Sequence, residues 1–98
     1  MSETNLNDLV RVHIWVTGRV QGVGFRAFVQ QSGVMFGLTG WVRNLGYDQV
    51  EAAAEGPRNI VERFIEAVRT GPRVSRVDDV RLEWETPTGE PGQFGIRF

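Results

Sequence analysis

The 98-residue chain has no cysteine, which removes disulfides, thiolate nucleophiles and any zinc or iron–sulfur site built on sulfur. It has no lysine either, since all eleven basic residues are arginine, and every lysine-dependent mechanism is excluded with it. No apolar run is long enough to span a membrane. The polar, acidic opening MSETNLNDL lacks the basic-then-apolar order of a secretory signal. Charge of one sign is also missing: the formal net charge of −1 leaves no basic footprint for a polyanion. These absences lead to the expectation of a cytoplasmic protein with neither a nucleic-acid nor a membrane partner.

What is present suffices for one core. Hydrophobic residues make up 41% of the chain, with three Trp and six Phe. Residues 1–8 read as a flexible tail and 9–98 as a single domain. From Val10 to Thr17 the chain alternates, with Val12, Ile14 and Val16 on one face, as a half-buried strand does. After the glycine-punctuated stretch Gly18 to Gly24, the spacing of Phe25, Phe28, Val29 and Phe36 predicts a helix that Gly37 caps. Leu38 to Leu45 and Gln49 to Glu55 form a hairpin about Gly46-Tyr47-Asp48. Pro57 suits the first turn of a second helix, whose stripe is Ile60, Val61, Phe64, Ile65 and Val68 before Thr70-Gly71-Pro72. Val80, Leu82 and Trp84 alternate with Arg81, Glu83 and Glu85 in a fourth strand, and Phe94, Ile96 and Phe98 give a short fifth one.

The resulting order, β-α-β-β-α-β plus a short C-terminal strand, defines an α+β fold: a ferredoxin-like α/β sandwich with two helices on one face of a mainly antiparallel sheet. Val50, Ala52 and Ala54 belong to the inward strand set, where small side chains admit a helix closely. The outer face of that strand carries Glu51, Ala53 and Glu55.

The segment Gly18-Arg19-Val20-Gln21-Gly22-Val23-Gly24-Phe25-Arg26 joins a strand to a helix. Its glycines permit backbone turns that expose consecutive N–H groups, and the helix N-terminus behind them favours an anion. Arg26 stands in the first turn, with a planar fork that can hold phosphate through two parallel hydrogen bonds. A plain glycine-rich turn with a solvent-facing arginine fits the same residues. A Walker loop requires a lysine that this chain lacks. Gly22-Val23-Gly24-Phe25-Arg26-Ala27 meets the dinucleotide pattern, but the elements then turn into a hairpin and the length cannot hold two mononucleotide halves. A phosphatase loop that pairs arginine with a nucleophilic cysteine is ruled out by composition.

Taken together, GRVQGVGFR, GWVRN at Gly40 to Asn44 and EGP at Glu55 to Pro57 resemble acylphosphatase, over a match running from about residue 10 to the C-terminus. The resemblance implies the sandwich fold and hydrolysis of acyl phosphates. It implies that the loop Gly18, Arg19, Val20, Gln21, Gly22, Val23 and Gly24 binds phosphate through backbone N–H groups. It further implies that Arg26 is the catalytic phosphate ligand and that Asn44 positions the water. Gly24 at a variable loop position, the Gly46-Tyr47-Asp48-Gln49 turn and the terminal Phe98 depart from the family pattern.

An acyl phosphate expels a carboxylate whose conjugate acid has a pKa of about 4, so no general acid, metal or cofactor is expected. The partners expected are small acyl phosphates and inorganic phosphate, with the chain acting as a monomer. The alternatives are a non-catalytic anion-sensing module and an RNA-binding module of the same fold, the latter opposed by the carboxylates Glu51 and Glu55. His13 reads as an ordinary surface or half-buried histidine, Asp78-Asp79 as a solvated strand start, and Trp41 and Trp84 as core or sheet-packing residues. The chain ends directly after a strand, which raises the expectation that the Phe98 carboxylate helps orient Arg26.

Overall fold

In the first strand, β1 (Leu9–Arg19), alternation sorts the side chains into two sets. Val10, Val12, Ile14 and Val16 are buried in the core, and Arg11, His13 and Trp15 face the other way. The structure is a computed structural model and describes residues 8–98. Apart from Asp8, the expected N-terminal tail lies outside the described residues. After β1 come α1 (Phe25–Met35), β2 (Thr39–Leu45), β3 (Gln49–Pro57), α2 (Arg58–Thr70), β4 (Arg76–Glu85) and β5 (Gly95–Ile96).

The five strands lie in the order β4-β1-β3-β2-β5, antiparallel throughout except for the parallel β2–β5 pair. This is the ferredoxin-like sandwich that the element order predicts. β1 and β2 both run antiparallel to the β3 between them. Their C-terminal ends therefore emerge at the same end of the sheet.

Phe25 and Val29 of α1 and Val61, Phe64, Ile65 and Val68 of α2 share one core with Val12, Ile14, Val16, Val42, Val50, Ala52 and Ala54 of the sheet. Each fully buried Phe or Val there stabilises the fold by about 1.5–3 kcal/mol. Phe94 closes this core beside Phe64, at 5.5 Å between ring centroids. It rests on Gly33 of α1, where a Cβ would come within 2.3 Å of the ring. That close approach explains a glycine inside a helix, which the apolar stripe alone does not.

Several boundaries differ from expectation. Gly18 and Arg19 belong to β1, because past a bulge they still pair with Val77 and Arg76 of β4. Leu38 precedes β2; its N–H instead closes the end of α1 on the Gly33 carbonyl. Pro57 does not open α2; with an extended ψ of 139° it ends β3 and stands as the helix N-cap. The fifth strand keeps only Gly95 and Ile96, since Phe94 turns into the core and Phe98 lies 98% exposed. Trp84 is not a core residue. It is 47% exposed at the sheet edge, with the Arg58 guanidinium 5.6 Å from its ring centroid.

Candidate active site

Between β1 and α1 the backbone turns at Gly22 and Gly24, with φ of +74° and +78°. A Cβ at either position would meet nothing within 4 Å. Backbone conformation, and not space, is what requires glycine there. Gly24 is the N-cap of α1, with no side-chain cap and no acidic residue in the first turn. The first bond along the helix runs from the Phe28 N–H to the Gly24 carbonyl at 2.9 Å. The N–H groups of Phe25, Arg26 and Ala27 thus have no partner within the helix, and the positive end of its dipole is unopposed.

Asn44 arrives from the other side. It lies on β2 opposite Val50, on the same face as the core residue Val42, but beyond the buried stretch of the strand and exposed. Because β1 and β2 end together, Asn44 shares with the loop a cavity of about 240 Å³ lined by Val20, Gln21, Gly22, Gly24, Phe25, Arg26, Ala27, Asn44 and Ile96. Both predicted catalytic residues are present. Of the predicted loop residues, Val20, Gln21, Gly22 and Gly24 line the cavity, whereas Gly18, Arg19 and Val23 do not. Val20 is buried, Val23 packs against the core and Arg19 is exposed at the end of β1. A larger hollow of about 360 Å³ beside Arg69, Asp78 and Asp79 contains none of the motif residues. Its Asp78 is occupied by Arg76 at 2.9 Å, as suits a solvated strand start.

Arg26 is half-buried, and among the described residues it forms no ion pair. Its guanidinium carbon lies 4.8 Å from the Phe98 ring centroid. The expectation for Phe98 is thereby corrected: the ring, and not the carboxylate, meets the arginine. Sequence reasoning also gave no role to the Gln21 side chain. Its Nε2 donates to the carbonyls of Gly46 at 3.1 Å and Gln49 at 2.8 Å, tying the loop to the β2–β3 turn. A side-chain amide that bonds carbonyls so distant in sequence leaves no periodic signal.

The open face of the sheet is wired differently. Glu51 and Glu55 are only 6% and 5% exposed, so β3 does not display two free carboxylates. Glu51 accepts from Arg43 and faces His13 Nε2, both at 2.6 Å. Burial favours a protonated Glu51, yet the hydrogen bonds and charges of Arg43 and His13 prevail and hold its pKa below the ordinary value. His13 itself is half-buried, stacked on Trp15 at 4.1 Å and 3.1 Å from Glu85. Trp41 packs on this same face under Arg97 at 4.4 Å. Among the described residues, no group of three or more His, Asp or Glu side chains is placed to hold a metal ion.

A family model described as acylphosphatase matches residues 12–96. An acylphosphatase of Trichormus variabilis is 48% identical over 91 residues, covering 93% of this chain and 90% of that one. The crystal structure of acylphosphatase from Bacillus subtilis superposes with a TM-score of 0.86 at 40% identity, over 91% of this chain and 99% of that one. An acylphosphatase structure from Coxiella burnetii gives 0.85 at 33% identity, over 92% and 94% of the two chains. From its first core strand to its last, in sequence and in fold alike, the chain belongs to the acylphosphatase family of hydrolases.

Proposed function

We propose that the chain cleaves the carboxyl–phosphate bond of acyl phosphates without a metal, using Arg26 as phosphate ligand and Asn44 as the guide for water. The observation that carries this reading is the single cavity onto which Arg26, the glycine-turned loop and Asn44 open from different elements. The unpartnered N–H groups at the head of α1, with those of Gly22 and Gly24, ring the phosphate. Arg26 adds a bidentate charge-assisted contact to the equatorial oxygens. Phosphoryl transfer is largely positioning and charge stabilisation, which such donors supply without reorganising.

The Asn44 amide, both donor and acceptor, holds a water in line with phosphorus. The water oxygen bonds to phosphorus while the bond to the acyl oxygen breaks, and the carboxylate leaves with the electron pair. A phosphate oxygen takes the proton that the water loses. Because the leaving group is a carboxylate, it needs neither a proton donor nor a Lewis acid, and the products are carboxylate and inorganic phosphate.

The reading includes one domain over residues 9–98, acting as a cytoplasmic monomer on small acyl phosphates with no nucleic-acid or membrane partner. The internal pairing of Arg11 and Arg43 with carboxylates on the open sheet face supports it. So does the observation that no helix of the described residues is long and apolar enough to cross a membrane. The deciding experiment offers benzoyl phosphate beside p-nitrophenyl phosphate in the presence of EDTA. Benzoyl phosphate should be hydrolysed at full rate and strongly preferred. Loss of activity to the chelator with rescue by a divalent ion, or equal rates on the two substrates, would overturn the mechanism.

A further inference from the structure

We infer that Gln21 is a positioning residue for this reaction: its side chain clamps the anion loop to the β2–β3 turn and so sets the separation between the phosphate cradle and Asn44. The inference rests on the roles assigned above to Arg26 and Asn44.

Two carbonyl acceptors, at Gly46 and Gln49, take both hydrogens of the Gln21 amide nitrogen. Only the NH2 end of the amide can face them, so the orientation is fixed and no amide hydrogen remains for a ligand. The two carbonyls bracket the turn, and Gly46 lies two residues beyond Asn44 on the same chain. The backbone of Gln21, in turn, adjoins Gly22 in the wall of the cavity. One side chain therefore links the segment that holds phosphorus to the segment that holds water.

Two other bonds cross the same junction. The Gly18 N–H donates to the Asp48 carbonyl at 3.0 Å, and Gln49 Nε2 donates to Thr17 Oγ1 at 2.9 Å. Both engage residues of β1, Gly18 as donor and Thr17 as acceptor, before the loop begins to turn. Gln21 reaches across from inside the loop, between the strand end and the glycines at 22 and 24. Those glycines make the N–H cradle possible and also leave the backbone more conformational freedom to lose. A tie at Gln21 limits that freedom where alignment matters, because a misplacement of about 1 Å can cost on the order of 100-fold in rate.

The test is Gln21→Met, which keeps length and volume and deletes both donors. Turnover on benzoyl phosphate should fall about 10- to 100-fold. KM and inhibition by inorganic phosphate should change by no more than about twofold, since ground-state binding does not use the clamp. In an Asn44→Ala background the same substitution should cost less than about threefold, because groups acting through one another are not additive. Gln21→Asn, which keeps the donors but cannot span both carbonyls, should fall between Gln21→Met and the parent. Thr17→Val, which weakens the junction outside the loop, should lower thermal stability with turnover retained.

A folded Gln21→Met protein with near-parent turnover overturns the inference. So does a loss of phosphate inhibition in step with turnover, which would make Gln21 part of the cradle itself. Losses from Gln21→Met and Asn44→Ala that multiply would also overturn it, while leaving the role of Asn44 intact. Normal turnover in Asn44→Ala alone would instead remove the water-positioning role, and the clamp's purpose with it.

Discussion

Where β3 finishes, Arg11 is buried against Glu55 at 3.0 Å and reaches Glu85 and Glu90 at 3.4 Å, whereas at the opposite end of the sheet Arg26 faces a cavity with no carboxylate partner among the described residues. Glu55 also accepts from the N–H groups of Thr88 and Gly89 and from the Thr88 hydroxyl, at 2.8–3.1 Å. This pins the connection from β4 to β5 across the sheet. One end thus satisfies its charges internally and spends them on shape. The other keeps a half-buried cation and a set of backbone donors in need of an anion. Substitutions at the closed end should therefore move stability, and substitutions at the open end should move turnover.

Arg26→Gln should separate the two ends most sharply. Turnover should fall by about 100-fold or more, the scale of losing a preorganised electrostatic contact. Phosphate inhibition should weaken, and the melting temperature should hold or rise. A folded variant with normal turnover would break the comparison at its open end.

Glu55→Gln should do the reverse, lowering unfolding free energy by about 1–3 kcal/mol while turnover at 25 °C is kept. Burial alone would raise the Glu55 pKa, but the Thr88 and Gly89 N–H groups, Arg11 and the Thr88 hydroxyl hold it below the ordinary 4.5. A carboxyl depressed on folding stabilises the protein above its unfolded pKa, and that stabilisation is lost as pH falls through the folded value. Thermal melts should thus show the parent losing stability on acidification below about pH 4.5. Glu55→Gln should lose less over the same range, and parallel curves would show that Glu55 is not the titrating anchor.

The smallest effect should come from Phe98→Ala. An exposed cation–π contact contributes about 0.5–1 kcal/mol. Turnover should shift by no more than a few-fold, and a 100-fold loss would mean that the ring shapes the site and does more than cover the guanidinium.

These contrasts also explain how much of the molecule could be read from its sequence. β1 and the stripe of α2 were legible because one face of each is apolar and its period is strict. The other face of the sheet was not. Alternation places Glu51 and Glu55 opposite the core but does not reveal that Arg43, across the hairpin, and His13 and Arg11, distant in the chain, cover them. For Trp84, expected in the core or packed on the sheet, the core alternative fails for a related reason: it has the right parity for the core but stands in the edge strand β4, beyond the reach of full burial. Three joint motifs, which no single periodicity supplies, singled out Arg26, Asn44 and the loop residues Val20, Gln21, Gly22 and Gly24 that share one cavity, and they also drew in Gly18, Arg19 and Val23, which do not line it. Gln21 was visible as a member of the loop, but the two carbonyls that its side chain holds exist only once the turn has been brought alongside.

The interposed β3 has a consequence for how the chain acquires activity during folding. α1 can form close to its own loop, and the β2–β3 hairpin is equally local, so the residues of Arg26's half and of Asn44's half can each become ordered separately. They come to face each other only when β3 zips onto β1, in a register that pairs Thr17 with Gln49 across 32 residues of chain. That long-range step bears the loop-closure cost and belongs to the slow, nonlocal part of folding. On the roles proposed for Arg26 and Asn44, chains that have secondary structure but have not yet joined these strands should be catalytically silent. Recovery of turnover after denaturation should therefore time the closure of the central strand pair, while far-ultraviolet signals should report the local elements that precede it.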